Sequence, residues 1–322
     1  MQAQDHPRDE RIGLAFAAAA AIIYGAAYPA TAIALGSFTP LGIAALACTL
    51  ALPIIVGLGA IGWLPRPAFR GLDGPRLVRL VVLSGLGGLL FIAAINIAVA
   101  LSGPTVTGFV TPLYAVAAAL LAVPLLGERI RPATLGAFAL AIIGTALLAG
   151  VAPDVDSLAG VAMAFAGAVM FGLYIVLARR WGRTYGLDGT LITIANLVGR
   201  GPVLLIVELV RSPTTLVPAA PDLGAVIALL SIALGSSSTA NLLLIASVRR
   251  VPAGRSSAAL LLTPISSAAI GAILLQDHLA PIQLLGAGLI LVGIAFASGV
   301  GRRSAVGVPP GRVGRVGRVG RR

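Results

Sequence analysis

An arginine, a carboxylate and a run of hydroxyls are the groups in this 322-residue chain that could handle a polar solute, and all lie in apolar surroundings. Arg200 sits in ANLVGRGPVLLIVELV, with Gly199 and Gly201 beside it and Pro202 next. A guanidinium there is costly to keep from water, so by default it faces the protein interior and meets an anionic group, a carboxylate above all. Snorkelling to an interface and a structural ion pair are the competing readings. No acid in the sequence is an obvious partner at that depth. Gly199, Gly201 and Pro202 weaken the helix and would free backbone groups for a ligand. Glu208 follows, about 12 Å along a helix from Arg200 and about 80° round it, too far for a direct pair. Arg211 is its better placed partner. The rival reading makes Glu208 a proton-coupling carboxylate.

Gly235-Ser236-Ser237-Ser238-Thr239 and Asn241 form a second polar surface. Their hydroxyls either bond back to carbonyls of their own helix or line a wet cavity, and some are assigned to the cavity. Tyr24 and Tyr28, one turn apart beside Pro29, either face that cavity or pack between helices. Asn96 either joins helices or touches the solute. The candidate substrate-binding set is therefore Arg200, Tyr24, Tyr28, Asn96, Ser236, Ser237, Ser238 and Asn241, with Glu208 as a candidate coupling residue.

Catalysis finds little support. The histidines are His6 and His278, and Cys48 is the single cysteine, with no histidine partner in the same stretch. No metal-ligand spacing or phosphate loop occurs, so no catalytic residue, metal or cofactor is expected. The rival from another class is a non-transporting membrane scaffold or receptor, which would be expected to carry a large soluble domain or long external loops.

The elements that hold these residues are membrane spans. Hydrophobic residues make up 58% of the chain and charged residues 11%, and mean hydropathy is +1.01, far above a soluble domain. Apolar stretches of about 20 residues recur ten times, at about 12–35, 38–62, 78–101, 105–126, 132–151, 158–178, 188–211, 222–247, 254–275 and 281–300. The first is about twice the length of a signal-peptide core and is read as a span. Net charge is +12, and every basic residue is arginine. Of the 23 arginines, 21 fall in alternate connections or tails, which the positive-inside rule makes cytoplasmic, with both termini on that side. Contact with membrane lipid follows, and nucleic acid is not expected as a partner despite the pI near 11.5.

A tandem duplication organises the chain. Leu113–Ala146 reappears 149 residues later as Leu262–Ala295, with nine identities that include Leu125/Leu274, Pro132/Pro281 and Gly144/Gly293. In each copy an apolar run ends in an acid and a base, Glu128-Arg129 or Asp277-His278, followed by Pro and a second run. The division expected is a cytoplasmic tail at 1–11, a first five-helix repeat at 12–151, a second at 158–300, and a disordered Arg/Gly-rich tail at 301–322 ending GRVGRVGRVGRR. Five is odd, so the second repeat enters the membrane inverted. The fold class is an all-α integral membrane protein of ten transmembrane helices in two inverted repeats, a construction common among secondary transporters.

On LLGERIRPATLGAFALAIIGTALLAG, TPISSAAIGAILLQDHLAPIQLLGAGLILVGIA, IIYGAAYPA and MFGLYIVLARRW the chain resembles the EamA-type branch of the drug/metabolite transporter superfamily over nearly its whole length. It departs in lacking an arginine early in the second span, where Ala47 is nearest, and in its Asp277-His278 turn. The resemblance implies a compact ten-helix bundle with a central cavity, exporting amino acids or related small metabolites by alternating access, sometimes with protons. The expectation is a permease of the bacterial cytoplasmic membrane.

Overall fold

The computed structural model describes residues 6–60, 73–127, 132–149, 155–187, 189–211, 216, 218–248, 250, 259–260, 262–276 and 280–297. Glu128-Arg129, Asp277-His278, the loop residues 61–72 and the tail after 297 lie outside the described residues. What is described is helical. In chain order the helices are α1 (His6–Ala34), α2 (Pro40–Ala60), α3 (Gly74–Ser84), α4 (Phe91–Ser102), α5 (Pro104–Val110), α6 (Tyr114–Leu126), α7 (Pro132–Ala149), α8 (Val155–Tyr185), α9 (Gly189–Arg211), α10 (Leu223–Ser231), α11 (Ala240–Val248), α12 (Leu262–Leu275) and α13 (Pro281–Ala297). A π-helical segment, Gly85–Leu90, joins α3 to α4, and another, Ile232–Thr239, joins α10 to α11. A single 3₁₀ turn, Thr111–Leu113, joins α5 to α6.

Among the described residues, five helical rods are long and apolar enough to cross a membrane: Asp9–Ala34, Gly74–Ser102, Pro104–Leu126, Asp156–Tyr185 and Leu223–Leu244. Pro40–Ile54, Leu262–Leu275 and Pro281–Gly293 are apolar but shorter. The outward faces suit lipid: Val81, Val210, Leu223, Ile273 and Leu285 stand open on the surface. Such exposure would promote aggregation in water and costs nothing against hydrocarbon.

Proline and the small residues set where the helices start and how closely they pack. Pro40, Pro104, Pro132 and Pro281 each open a helix, where a missing N–H is no loss. Asp73 and Asp222 cap α3 and α10 by accepting from the amides of Arg76 (2.9 Å) and Ala225 (3.1 Å). The contacts then repeat between the halves: α4 and α6 pack on α8 much as α11 and α12 pack on α1, while α2 lies against α9 and α7 against α13. Two glycines make the correspondence sharp. A Cβ on Gly25 would come within 2.6 Å of the Thr263 carbonyl oxygen and Ser266 Cβ and 2.9 Å of the Ser267 nitrogen. One on Gly172 would meet Tyr114, Ala117 and Ala118, each 149 residues earlier, at 2.9 to 3.1 Å. The π segments obey the same offset, since Gly85–Leu90 shifts onto 234–239, inside the second segment.

The glycine at each crossing therefore fixes how closely the helices approach. Gly25→Ala and Gly172→Ala are expected to destabilise the protein by about 1–3 kcal/mol through overpacking. Gly136→Ala, with nothing within 4 Å of the added atom, is expected to be neutral or stabilising. Thermal unfolding of the purified protein in detergent checks this, and equal melting temperatures for all three variants would contradict it.

Candidate functional site

Arg200 is the middle residue of the 23-residue α9, about 17 Å from either end at 1.5 Å per residue. Helix α9 runs unbroken through Pro202, so the helix weakening expected there from the sequence does not occur. Gly201 serves packing instead: a Cβ there would lie 3.2 Å from the Cys48 carbonyl carbon and the Thr49 nitrogen, and the bare backbone lets α9 lie against α2. Arg200 is 6% exposed, and its Nε is enclosed with no acceptor in hydrogen-bond range. Among the described residues no carboxylate pairs with it. Two more enclosed polar atoms without partners are close in the sequence or across the α2 contact: Asn196 Oδ1, one turn before Arg200, and Thr49 Oγ1, opposite Gly201.

Two tyrosines lie near this group, and a third lies near one of them. Tyr24 of α1 and Tyr174 of α8 are close enough to Arg200 to feel its charge, Tyr114 of α6 faces Tyr24, and Tyr174 faces Asn196. All three are half-buried. Gly88, in the first π segment, leaves room for Asn196 Oδ1 and the Cβ of Arg200.

The other sequence-derived candidates divide by where their bonds go. Tyr24 donates to Asn241 Oδ1 at 3.0 Å, and Asn241 Nδ2 donates to the carbonyls of Ser236 (2.8 Å) and Ser237 (3.3 Å). Asn241 therefore braces the second π segment and joins it to α1. Ser236 bonds back to the Ile232 carbonyl at 3.1 Å, and Ser238 to that of Ala233 at 2.8 Å. Ser237 and Ser238 are buried, and Ser236 is partly open. Asn96 accepts from Thr31 at 3.4 Å and donates to the Ile92 carbonyl at 3.1 Å, so both ends of its amide are engaged within the protein. Tyr28 is 9% exposed and is packed with Ile95 and Val99.

Glu208 requires a correction. It is 1% exposed and accepts a hydrogen bond from the Thr39 hydroxyl, whereas Arg211 lies exposed at the end of α9. The expected pairing with Arg211 is not what forms. Thr39 also accepts from the Gly42 amide at 2.9 Å, capping α2, so the carboxylate sits at a helix N-terminus, where negative charge is favoured. Glu208 Oε2 is enclosed without a partner. Beside Thr39, a surface depression of about 470 Å³ is lined by Leu35–Thr39, Pro218 and Ala219. Sequence reasoning missed Thr39, Thr49, Tyr114, Tyr174 and Asn196. The packing places Phe171-Gly172 where the first half has Tyr24-Gly25, so the second repeat's counterpart of Tyr24 is Phe171, three residues before Tyr174.

Comparison with known proteins gives the architecture a family context. The model of the EamA-like transporter family matches residues 11–150 and again 158–299, one match per repeat. No curated protein matches the chain. Of the 26 matching chains among solved structures, one described only as "Crystal structure of protein" superposes with a TM-score of 0.59 at 20% identity, covering 88% of this chain and 96% of its own. At that identity the likeness concerns the fold alone.

The Thr39–Glu208 contact is expected to couple by about 1.5–3 kcal/mol in a double-mutant cycle of Thr39→Val and Glu208→Leu, as a charged hydrogen bond does. Arg211→Ala is expected to stay within about 0.5 kcal/mol of the parent. A large Arg211 effect combined with no Thr39–Glu208 coupling would restore the surface pairing.

Proposed function

The chain belongs to the EamA-like transporter family, and from that premise we propose that it is a secondary transporter carrying a small carboxylate-bearing solute, an amino acid or related metabolite, through a cavity between two inverted repeats. The observation that carries this reading is Arg200, a buried charge with no acid partner among the described residues, at the centre of α9 and bordered by polar groups with an unpaired atom. A buried cation that the protein leaves uncompensated is strongly unfavourable unless something else compensates it. A carboxylate from the solute would do so, and low dielectric would make the interaction strong.

The cavity wall suits such a guest. Tyr24, Tyr174 and Asn196 come from α1, α8 and α9, so both repeats touch the same space. Ties between the repeats at the two ends of the bundle support alternating access: Thr39 to Glu208 and the Asp222 amide to Ser37 Oγ (2.9 Å) at one end, Arg79 over the Tyr185 ring (3.6 Å) at the other. Breaking one set while keeping the other would open the cavity to one side at a time. We place ten spans in the bacterial cytoplasmic membrane with both termini inside, as the distribution of arginines supports. Exporting direction follows the family resemblance. Glu208 is the coupling candidate in this scheme, being enclosed, incompletely bonded and part of one tie.

Flux of labelled amino and carboxylic acids into proteoliposomes of the purified protein tests the proposal. Arg200→Ala is expected to lower carboxylate flux by at least about 30-fold, as loss of one partner of a desolvated charge pair does, with Arg200→Lys intermediate. Unchanged flux in a folded Arg200→Ala protein would remove Arg200 from the site.

A further inference from the structure

Building on the reading of the Arg79–Tyr185 contact as a tie between the repeats, we propose that this end of the bundle docks an anionic phospholipid, its phosphate held by Arg79 and its chains lying along α3. The Arg79 guanidinium stands over the Tyr185 ring, 3.6 Å from the centroid. So close an approach occupies the face of the guanidinium and leaves its edge, where the N–H donors lie in a fork that fits two phosphate oxygens at once. Among the described residues no carboxylate pairs with Arg79. Asp73, the described acid nearest in the chain, lies 4.0 Å from Arg76 Nε and caps α3 through the Arg76 amide at 2.9 Å. Arg79 itself is half-buried, so a headgroup can reach the fork while the ring holds the side chain in one place.

The surface beside Arg79 matches the rest of such a lipid. Leu77, Val78, Val81 and Val82 of α3 are exposed, and by helix geometry they span about 140° of its circumference, with Arg79 about 60° beyond Val82. Leu80 and Leu83 take the other side, packed on Leu191 and beside Trp181. Trp181 and Tyr185 are rings of the kind that sit at headgroup depth, so the apolar face begins where acyl chains begin. Arg180 and Arg183, exposed near the same end of α8, add positive charge. That charge favours an anionic headgroup over a zwitterionic one. Helix α3 belongs to the first repeat and α8 to the second. A phosphate that fixes Arg79 against Tyr185 therefore favours the state in which this end of the bundle is closed.

The test is binding of dioleoylphosphatidylglycerol to the purified full chain in detergent, read by native mass spectrometry as the dissociation constant of the first lipid, beside dioleoylphosphatidylcholine as the zwitterionic control. Phosphatidylglycerol is expected to bind at least about 5-fold tighter, the effect of one arginine near an anionic headgroup. Arg79→Gln should abolish that preference, and Arg180→Gln, which removes the same charge at an exposed position, should keep most of it. Tyr185→Leu leaves the charge unchanged and should cut the preference about 2- to 5-fold, the range of an exposed cation–π contact, while Tyr185→Phe should keep it. No preference in the parent, a preference retained in Arg79→Gln, or equal losses in Arg79→Gln and Arg180→Gln, as diffuse surface charge would give, overturns the site. Inorganic phosphate raising the melting temperature of the parent as much as phosphatidylglycerol does would assign a free anion and overturn the lipid. Should Arg79→Gln fail to fold, Tyr185→Leu decides, and an unchanged preference there overturns the site. No solute enters the titration, so the lipid site can fail while Arg200-dependent flux stands, and the reverse.

Discussion

A guanidinium held inside a bundle whose outer surface is made for hydrocarbon must find its compensation within the protein or from a guest, because water is not at hand. The penalty for an enclosed charge is several kcal/mol even after relaxation. Around Arg200 the described residues supply tyrosines and the Asn196 amide but no acid, which leaves the charge without a carboxylate among them at the middle of α9. The features nearby serve to keep the group where it is. Gly201 lets α2 close on the helix that carries it, and Gly88 makes room for its neighbour Asn196. Both are positions at which a side chain would push the guanidinium out of place.

The repeats share geometry and divide chemistry. Close approach of α12 to Gly25 and of α6 to Gly172 is the same contact made twice, and the two π segments sit at equivalent places. Widened turns of this kind tend to accompany function, since they shift the register of side chains and leave backbone groups for side-chain donors. In the second half that role is visible: Asn241 donates to the carbonyls of Ser236 and Ser237, and its oxygen holds Tyr24. In the first half the π segment has no polar side chains and carries three glycines, of which Gly87 accepts Tyr174 and Gly88 accepts Asn196 against the backbone. One segment is braced by hydrogen bonds; the other is shaped by absent side chains.

The duplication, the apolar spans and the exceptional character of Arg200 were legible in the sequence because each depends on local composition or on self-comparison. Asn241, Ser236 and Ser238 were legible as polar groups but not in their roles, since a run of hydroxyls looks the same whether it bonds to its own helix or to a guest. Glu208 misled for a related reason. Residues three apart on a helix are neighbours, so Arg211 was the nearest visible partner, but that rule applies to side chains sharing an open face. Glu208 is buried against the N-terminus of α2, and its donor, Thr39, is 169 residues away in the chain.

Inside an apolar bundle, polar groups sort by whether they are already satisfied. Asn96, Thr107, Thr111, Ser236 and Ser238 all reach carbonyls of their own helix, so each can stay buried without a guest. Thr49, Asn196, Arg200 and Glu208 each keep an enclosed atom with no partner, and all four are on α2 or α9, the two helices that face each other between the repeats. Leaving such atoms unpaired costs about 1–3 kcal/mol apiece, more for the charged ones. Among the described residues that cost is concentrated on one helix pair, so the α2–α9 contact is the part of the described bundle with most to gain from pairing those atoms.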